Sequence, residues 1–139
     1  MSSDIRIRKG LDIQLEGKAE AITKVAPLSQ VYGLRPAEFH RVIPKLIARE
    51  GATVKAGDPV FYDKRDERVL FPSPVSGTIT EIIRGERRKI LEIRITPDAQ
   101  QSFHEYEKKQ VDSLSPEQIK EHLLQTGCWP LIKQRPYDV

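Results

Sequence analysis

The sequence predicts a mainly β domain that ends in one helix and an extended tail. Three observations carry this reading. Short apolar segments, several of them alternating with polar residues, recur through the first hundred residues. Gly and Pro punctuate them at close intervals. A complete helix-start signature stands much later, at Ser115-Pro116-Glu117-Gln118. The expected organisation is a β domain over residues 1–100 and a helical tail over 101–139 that leads toward further domains.

The elements follow in chain order. Ile5-Arg-Ile-Arg alternates apolar and charged residues, the period of a half-buried strand, and Gly10 punctuates it. Residues 11–15, Leu-Asp-Ile-Gln-Leu, alternate again, and 21–25 forms a third short apolar run. Pro27, Gly33 and Pro36 break the next stretch, so residues 28–36 read as an ordered loop. Residues 39–47 read as a strand pair or a strand bent at Pro44, since proline is tolerated only at strand edges and bulges. Glu50-Gly51 and Ala56-Gly57-Asp58 mark two tight turns around Val54. Val60-Phe-Tyr and Val69-Leu-Phe read as hairpin strands around a charged tip at 63–68, ended by Pro72 and Pro74. Residues 78–83 and 90–95 close the set, with a turn at Gly85. The predicted core is Val54, Val60, Phe61, Ile79, Ile82, Ile90, Ile93 and Ile95.

Residues 103–110 read as a weak helical turn with a sparse apolar pattern. In the helix that follows, Ser115 is the N-cap, Pro116 takes the first helical position and Gln118 completes a capping box. Ile119, Leu123 and Leu124 form one apolar stripe, and Gly127 closes the C-terminal end. Trp129 to Tyr137 reads as an extended, proline-bounded tail.

Composition narrows the function. The chain has 139 residues, with 23 basic and 20 acidic side chains interspersed. That near balance argues against nucleic acid, which favours a concentrated basic face. The densest basic run, Arg84-Gly85-Glu86-Arg87-Arg88-Lys89, reads as a solvated turn. Cys128 is the single cysteine, so it supports no internal disulfide and no cysteine-built cluster. Beside Trp129 it reads as a small buried hydrophobe. His40, His104 and His122 have no suggestive ligand partners, and no metal site is expected. No run approaches the roughly 20 apolar residues of a membrane span. No nucleophile–base pair or phosphate-binding glycine loop is present either, so no catalytic residue is assigned.

The layout from Leu46 to Ile83 resembles a biotinyl/lipoyl carrier domain, a barrel-sandwich hybrid that presents a lysine on a hairpin. Counting back from Pro74 by the spacing of such carriers reaches Asp66, and Lys64 lies off that register. The resemblance therefore implies the fold without a covalent group. A wider set of motifs is similar to one family. Arg8-Lys9-Gly10-Leu11-Asp12, Arg35-Pro36, Glu50-Gly51, Val54 to Gly57, Val60 to Lys64, Phe71 to Gly77 and Gly127-Cys-Trp129 through Arg135-Pro136-Tyr137 occur in the order seen in NqrA proteins. Each of these is one component of the sodium-translocating NADH:quinone oxidoreductase.

That resemblance implies a peripheral, non-flavin subunit on the cytoplasmic side of the bacterial inner membrane. It implies ubiquinone as the substrate of the complex, NAD(H) at another subunit, and subunits B to F as partners. Contact with the membrane would come only through the complex. Family members are several-fold longer, so the chain is expected to be an N-terminal part. Two readings stand beside it: the opening module of the RnfC protein of the Rnf electron-transport complex, and a biotin- or lipoyl-type carrier. For a quinone, the expected groups are an apolar slot with a few hydrogen-bond donors. Tyr32 and Arg35 in the broken loop, with Trp129, Arg135 and Tyr137 in the tail, are the candidates.

Overall fold

A computed structural model describes Gly10, residues 16–134 and Pro136. The expected strands at 5–8 and 11–15, and the candidates Arg135 and Tyr137, lie outside the described residues.

Among the described residues seven strands form two antiparallel sheets: β1 (Tyr32–Leu34), β2 (Pro44–Leu46), β3 (Thr53–Val54), β4 (Pro59–Asp63), β5 (Asp66–Pro72), β6 (Gly77–Arg84) and β7 (Ile90–Pro97). One sheet runs β1-β7-β6-β3 and the other β2-β4-β5. This is the barrel-sandwich hybrid expected from the hairpin layout, with one helix, α1 (Pro116–Gln125), beyond it.

Strand alternation turns one face of each sheet inward. Val60, Phe61 and Phe71 from the smaller sheet meet Val54, Ile79, Ile82, Ile90, Ile93 and Ile95 from the larger. All eight residues chosen from the sequence are buried, and Phe71, Val75 and Leu124 join them. Phe61 and Phe71 stack at 4.5 Å, and Phe39 packs edge-on against Phe71 at 4.6 Å. A register irregularity lies between Ile79 and Glu81 of β6. Near it the Ile82 amide donates to the Glu50 carboxylate at 2.7 Å, so a side chain from the Glu50-Gly51 turn satisfies part of β6.

Several elements differ from the sequence reading. Residues 21–25 form no strand; Val25 is 99% exposed, so no partner sheet buries the run. The stretch 28–36 is not all loop, because Tyr32–Leu34 pairs with Ile93–Ile95 as an edge strand. Only Pro44–Leu46 of the 39–47 segment is extended in a sheet. A 3-10 turn at Pro36–Glu38 precedes it, and a left-handed Arg41 (φ 60°) keeps the stretch before Pro44 out of the sheet. Pro44 stands first in its short strand, where its missing N–H costs no ladder bond.

The hairpin tip is shorter than the charged run suggests. Asp63 pairs with Asp66, which leaves Lys64 and Arg65 as a two-residue turn. Tyr62 pairs with Leu70, so β5 carries extra residues between the two pairs. That bulge moves the turn two residues upstream of Asp66. The count from Pro74 therefore missed the tip, which Lys64 and Arg65 occupy.

Residues 103–110 are not helical. The segment around 101–106 is strapped along the 55–58 turn instead. Ala56 accepts from the His104 amide and donates to the Ser102 carbonyl, and Tyr106 Oη donates to Gly57 O. Ser76 and Gln101 add further bonds. The capping box of Ser115 and Gln118 forms as expected. Thr126 is the C-cap, and Gly127 follows it in the left-handed conformation (φ 69°). The tail then turns through a 3-10 segment, Trp129–Leu131, where an extended chain was expected. Cys128 is exposed, not buried, because that turn carries Trp129 inward in its place.

Candidate functional site

The tail and the hairpin enclose a cleft of about 300 Å³. Three parts of the chain build it. The loop after the Pro36–Glu38 turn contributes Phe39 to Val42. β4 and β5 contribute Asp63, Arg65, Val69 and Phe71 around their turn. The docked tail contributes Trp129, Pro130, Ile132 and Lys133. Most of the wall is aliphatic or aromatic, and Asp63 and Arg65 stand at the hairpin turn.

Local chemistry explains why the tail docks there. Gly127 packs on β5; a Cβ at that position would sit 2.8 Å from Pro72 Cδ. Leu124 of α1 is buried (2% exposed) as the helix lies along β5. Trp129 is half-buried, and the Lys120 ammonium lies 5.3 Å from its ring centre, within cation–π range.

The polar end is an organised network. Asp63 is buried (7% exposed) and accepts hydrogen bonds from the Ile43 amide, the Arg65 amide and the Arg65 guanidinium, the shortest at 2.8 Å. Burial raises the Asp63 pKa, but the Arg65 side chain and these two amides outweigh it and hold the carboxyl below its ordinary value. Arg65 Nη2 also donates to the carbonyl of Arg41, the residue in the left-handed conformation. One guanidinium thus ties the hairpin turn to the 41–43 loop. Its Nη1 group has no hydrogen-bond partner among the described residues. The arrangement is a slot with apolar walls and a fixed cationic donor at one end. Such a slot can hold a flat, weakly polar ring whose edge carries acceptors.

The sequence candidates divide. Trp129 lines the cleft. Tyr32 and Arg35 do not. The Tyr32 hydroxyl accepts from the Ser29 amide at 3.3 Å on the edge of the larger sheet. Arg35 pairs with Glu92 at 2.9 Å beside a separate groove that also holds Gly33, Glu38 and Arg94. No residue of the 28–36 segment lines the cleft; the 39–42 loop that follows it meets Trp129 to Lys133 there instead. Arg65 and Asp63 were missed because a charged hairpin tip reads as solvated. The available signal was an Asp closing an apolar strand with an Arg two residues on. His40 lines the cleft, and His104 lies elsewhere, paired with Asp58 at 2.7 Å. Among the described residues no group of three or more His, Cys, Asp or Glu side chains is placed to hold a metal.

A two-sheet barrel-sandwich with a docked helical tail defines the class of domain. The model of one family, the NqrA N-terminal barrel-sandwich hybrid domain, matches residues 5–98. The chain belongs to that family. It is 37% identical over 144 aligned positions to the A subunit of the Na(+)-translocating NADH-quinone reductase of Haemophilus influenzae (strain PittEE), covering 96% of this chain and 30% of the relative. The protein of the same name from Tolumonas auensis is 36% identical over 137 positions, covering 96% and 31%. That of Photorhabdus laumondii is 35% identical over 136, covering 96% and 30%. The chain thus spans roughly a third of the length of these relatives. Among the described residues no helix is long and apolar enough to cross a membrane.

Proposed function

We propose that this chain is the N-terminal part of the quinone-side subunit of a bacterial sodium-translocating NADH:quinone reductase. In this reading it carries no covalent group, works with the other subunits B to F, and sits on the cytoplasmic side of the inner membrane. NAD(H) is oxidised at another subunit, and ubiquinone is the substrate the chain helps to hold. The supporting observation is the cleft between the 39–42 loop and the Trp129 turn, in a chain of this family. Its apolar walls suit the quinone ring. Arg65 Nη1 is the donor for a headgroup oxygen, and Asp63 orients it. Trp129 closes one wall. Tyr32, Arg35, Arg135 and Tyr137 belong to the same proposal only where additional chain completes the site.

Trp129 is the single tryptophan, so its fluorescence reports on the cleft directly. Titration with a short-chain ubiquinone is expected to give saturable quenching that weakens in Arg65→Gln. In the assembled complex, a photoreactive quinone is expected to label residues 39–42 and 129–133. Unsaturable quenching, together with labelling that misses both segments, would refute the reading.

A further inference from the structure

The charged surface is not mixed evenly. Arg35, Arg65, Arg68 and Arg94 each lie against a carboxylate within 4 Å. Along β2 and at the β6–β7 turn the pattern changes. Lys45, Arg84, Arg88 and Lys89 line one shallow groove of about 470 Å³, and no acidic residue lines it. None of the four makes an ion pair with a carboxylate among the described residues. The Lys45 ammonium rests 5.6 Å from the centre of the Tyr62 ring. Ile43 and Ile90 form part of an aliphatic floor beneath the charges.

The backbone holds this arrangement at a cost. Arg87 (φ 52°) and Arg88 (φ 60°) are consecutive non-glycine residues in the left-handed region. Such residues are sparse and persist where the surroundings enforce them, often at functional sites. Here the Lys89 amide donates to Glu86 O, the Gly85 amide to Lys89 O, and Arg84 Nη1 to Arg88 O at 3.4 Å. The turn is therefore closed on itself, and it sets its basic side chains beside Lys45, some forty residues distant in sequence. Glu67, which accepts from the Tyr62 hydroxyl, offsets part of the charge of Lys45, but Arg84, Arg88 and Lys89 have no carboxylate at ion-pair distance among the described residues; their mutual repulsion leaves the groove favourable for anions.

The chemistry of the groove selects among anions. No aromatic residue lines it, whereas protein hot spots favour Trp and Tyr and single-stranded nucleic acid needs stacking platforms. Long basic side chains over aliphatic residues are the pattern that rests at a lipid headgroup layer. The stems lie on apolar surface there and the heads reach phosphate. We propose that this face, Lys45 with Arg84, Arg88 and Lys89, docks on a bilayer surface carrying anionic phospholipid. The chain would then touch the membrane itself and not only through partner subunits. The proposal is independent of the quinone cleft, which lies on other residues.

The test is co-sedimentation of the 139-residue chain with phosphatidylcholine vesicles, with and without phosphatidylglycerol. Binding is expected only to the anionic vesicles and is expected to fall as salt shortens the screening length. The triple variant Arg84→Gln/Arg88→Gln/Lys89→Gln should lose about a hundredfold in partitioning, from the per-charge attraction to an anionic leaflet. Lys18→Gln/Lys24→Gln/Lys108→Gln removes the same net charge from exposed positions elsewhere and should retain most binding. Far-UV circular dichroism checks that both variants fold, and Lys89→Gln alone, expected to lose about fivefold, serves if the triple variant does not. Absence of vesicle binding would overturn the proposal, and so would equal binding to neutral vesicles or equal loss in the two triple variants. Capture by an acidic peptide without vesicle binding would assign the groove to a protein partner and overturn it as well.

Discussion

Phe71 joins the core to the candidate cleft, so truncating it tests both. The residue is 2% exposed. Its ring stacks on Phe61 with planes 5° apart and takes the edge of Phe39 at 61°. Removing a buried phenylalanine side chain costs about 3–5 kcal/mol through lost transfer energy and the cavity left behind. Each aromatic contact adds about 0.5–1.5 kcal/mol to what area alone predicts, which places Phe71→Ala toward the upper end. Folded domains hold only about 5–15 kcal/mol in total, so the variant should lose a third or more of its stability. Its melting temperature should fall on the order of 10 °C. Urea unfolding followed by circular dichroism measures the loss. Phe39 is only half-buried, so Phe39→Ala should cost clearly less, and a double-mutant cycle should return about 0.5–1.5 kcal/mol of coupling. A loss below about 1 kcal/mol for Phe71→Ala at unchanged urea dependence would show that the ring is not a core element. The packing account given for the cleft floor would then be wrong.

Gly77→Ala should be among the more damaging small changes. The added Cβ would overlap the Thr96 carbonyl oxygen and approach Pro97 Cα to 2.8 Å, so β6 and β7 would have to separate; a loss of about 1–3 kcal/mol or more by urea titration is expected. Asp63 should make stability acid-sensitive. Its folded pKa lies below its unfolded value, so its contribution is complete above the unfolded pKa and disappears as pH falls through the folded one. Melting scans from about pH 5 to about pH 2 should therefore show a decline that Asp63→Asn flattens, starting from a less stable protein. Asp66 is also lowered, to about 2, by its hydrogen bonds from Arg68, but its side chain is 40% exposed to screening solvent and should contribute little to that decline. Ser115→Ala removes the N-cap of α1 and should cost about 1 kcal/mol, read as fraying of the helix by hydrogen exchange at Gln118.

What was legible in the sequence was local or periodic. The eight core residues follow from period-two alternation, and Ser115, Pro116 and Gln118 announce α1 without any tertiary contact. Phe71, missed as a core residue, sat inside a correctly placed strand beside Pro72. What was hidden depended on partners distant in sequence. β1 looks like loop because Tyr32-Gly-Leu is short and flanked by proline, and it becomes a strand only when β7 pairs with it. Residues 21–25 carry the same apolar signal but meet no sheet. Composition cannot separate those two cases.

The hairpin shows the same limit at finer scale. A turn is placed by counting only if both strands keep register, and the extra residues of β5 between the Leu70 and Asp66 pairs break that count. The consequence reaches the candidate site. With the turn at Lys64 and Arg65, the chain reverses directly after Asp63, and the Arg65 guanidinium reaches both that carboxylate and the Arg41 carbonyl. A turn centred on Asp66 would have left Arg65 on a strand. The cleft then needs the tail as its second wall. One contact that sets that wall is displayed by no sequence pattern, the bare Gly127 backbone against Pro72. Gly127→Ala should accordingly disturb the cleft more than the β core. Trp129 fluorescence should shift toward that of exposed tryptophan, while the sheet's circular dichroism changes little. A Gly127→Ala protein with unaltered Trp129 emission would mean that the tail docks without this contact, and that the cleft is held by the Trp129 turn itself.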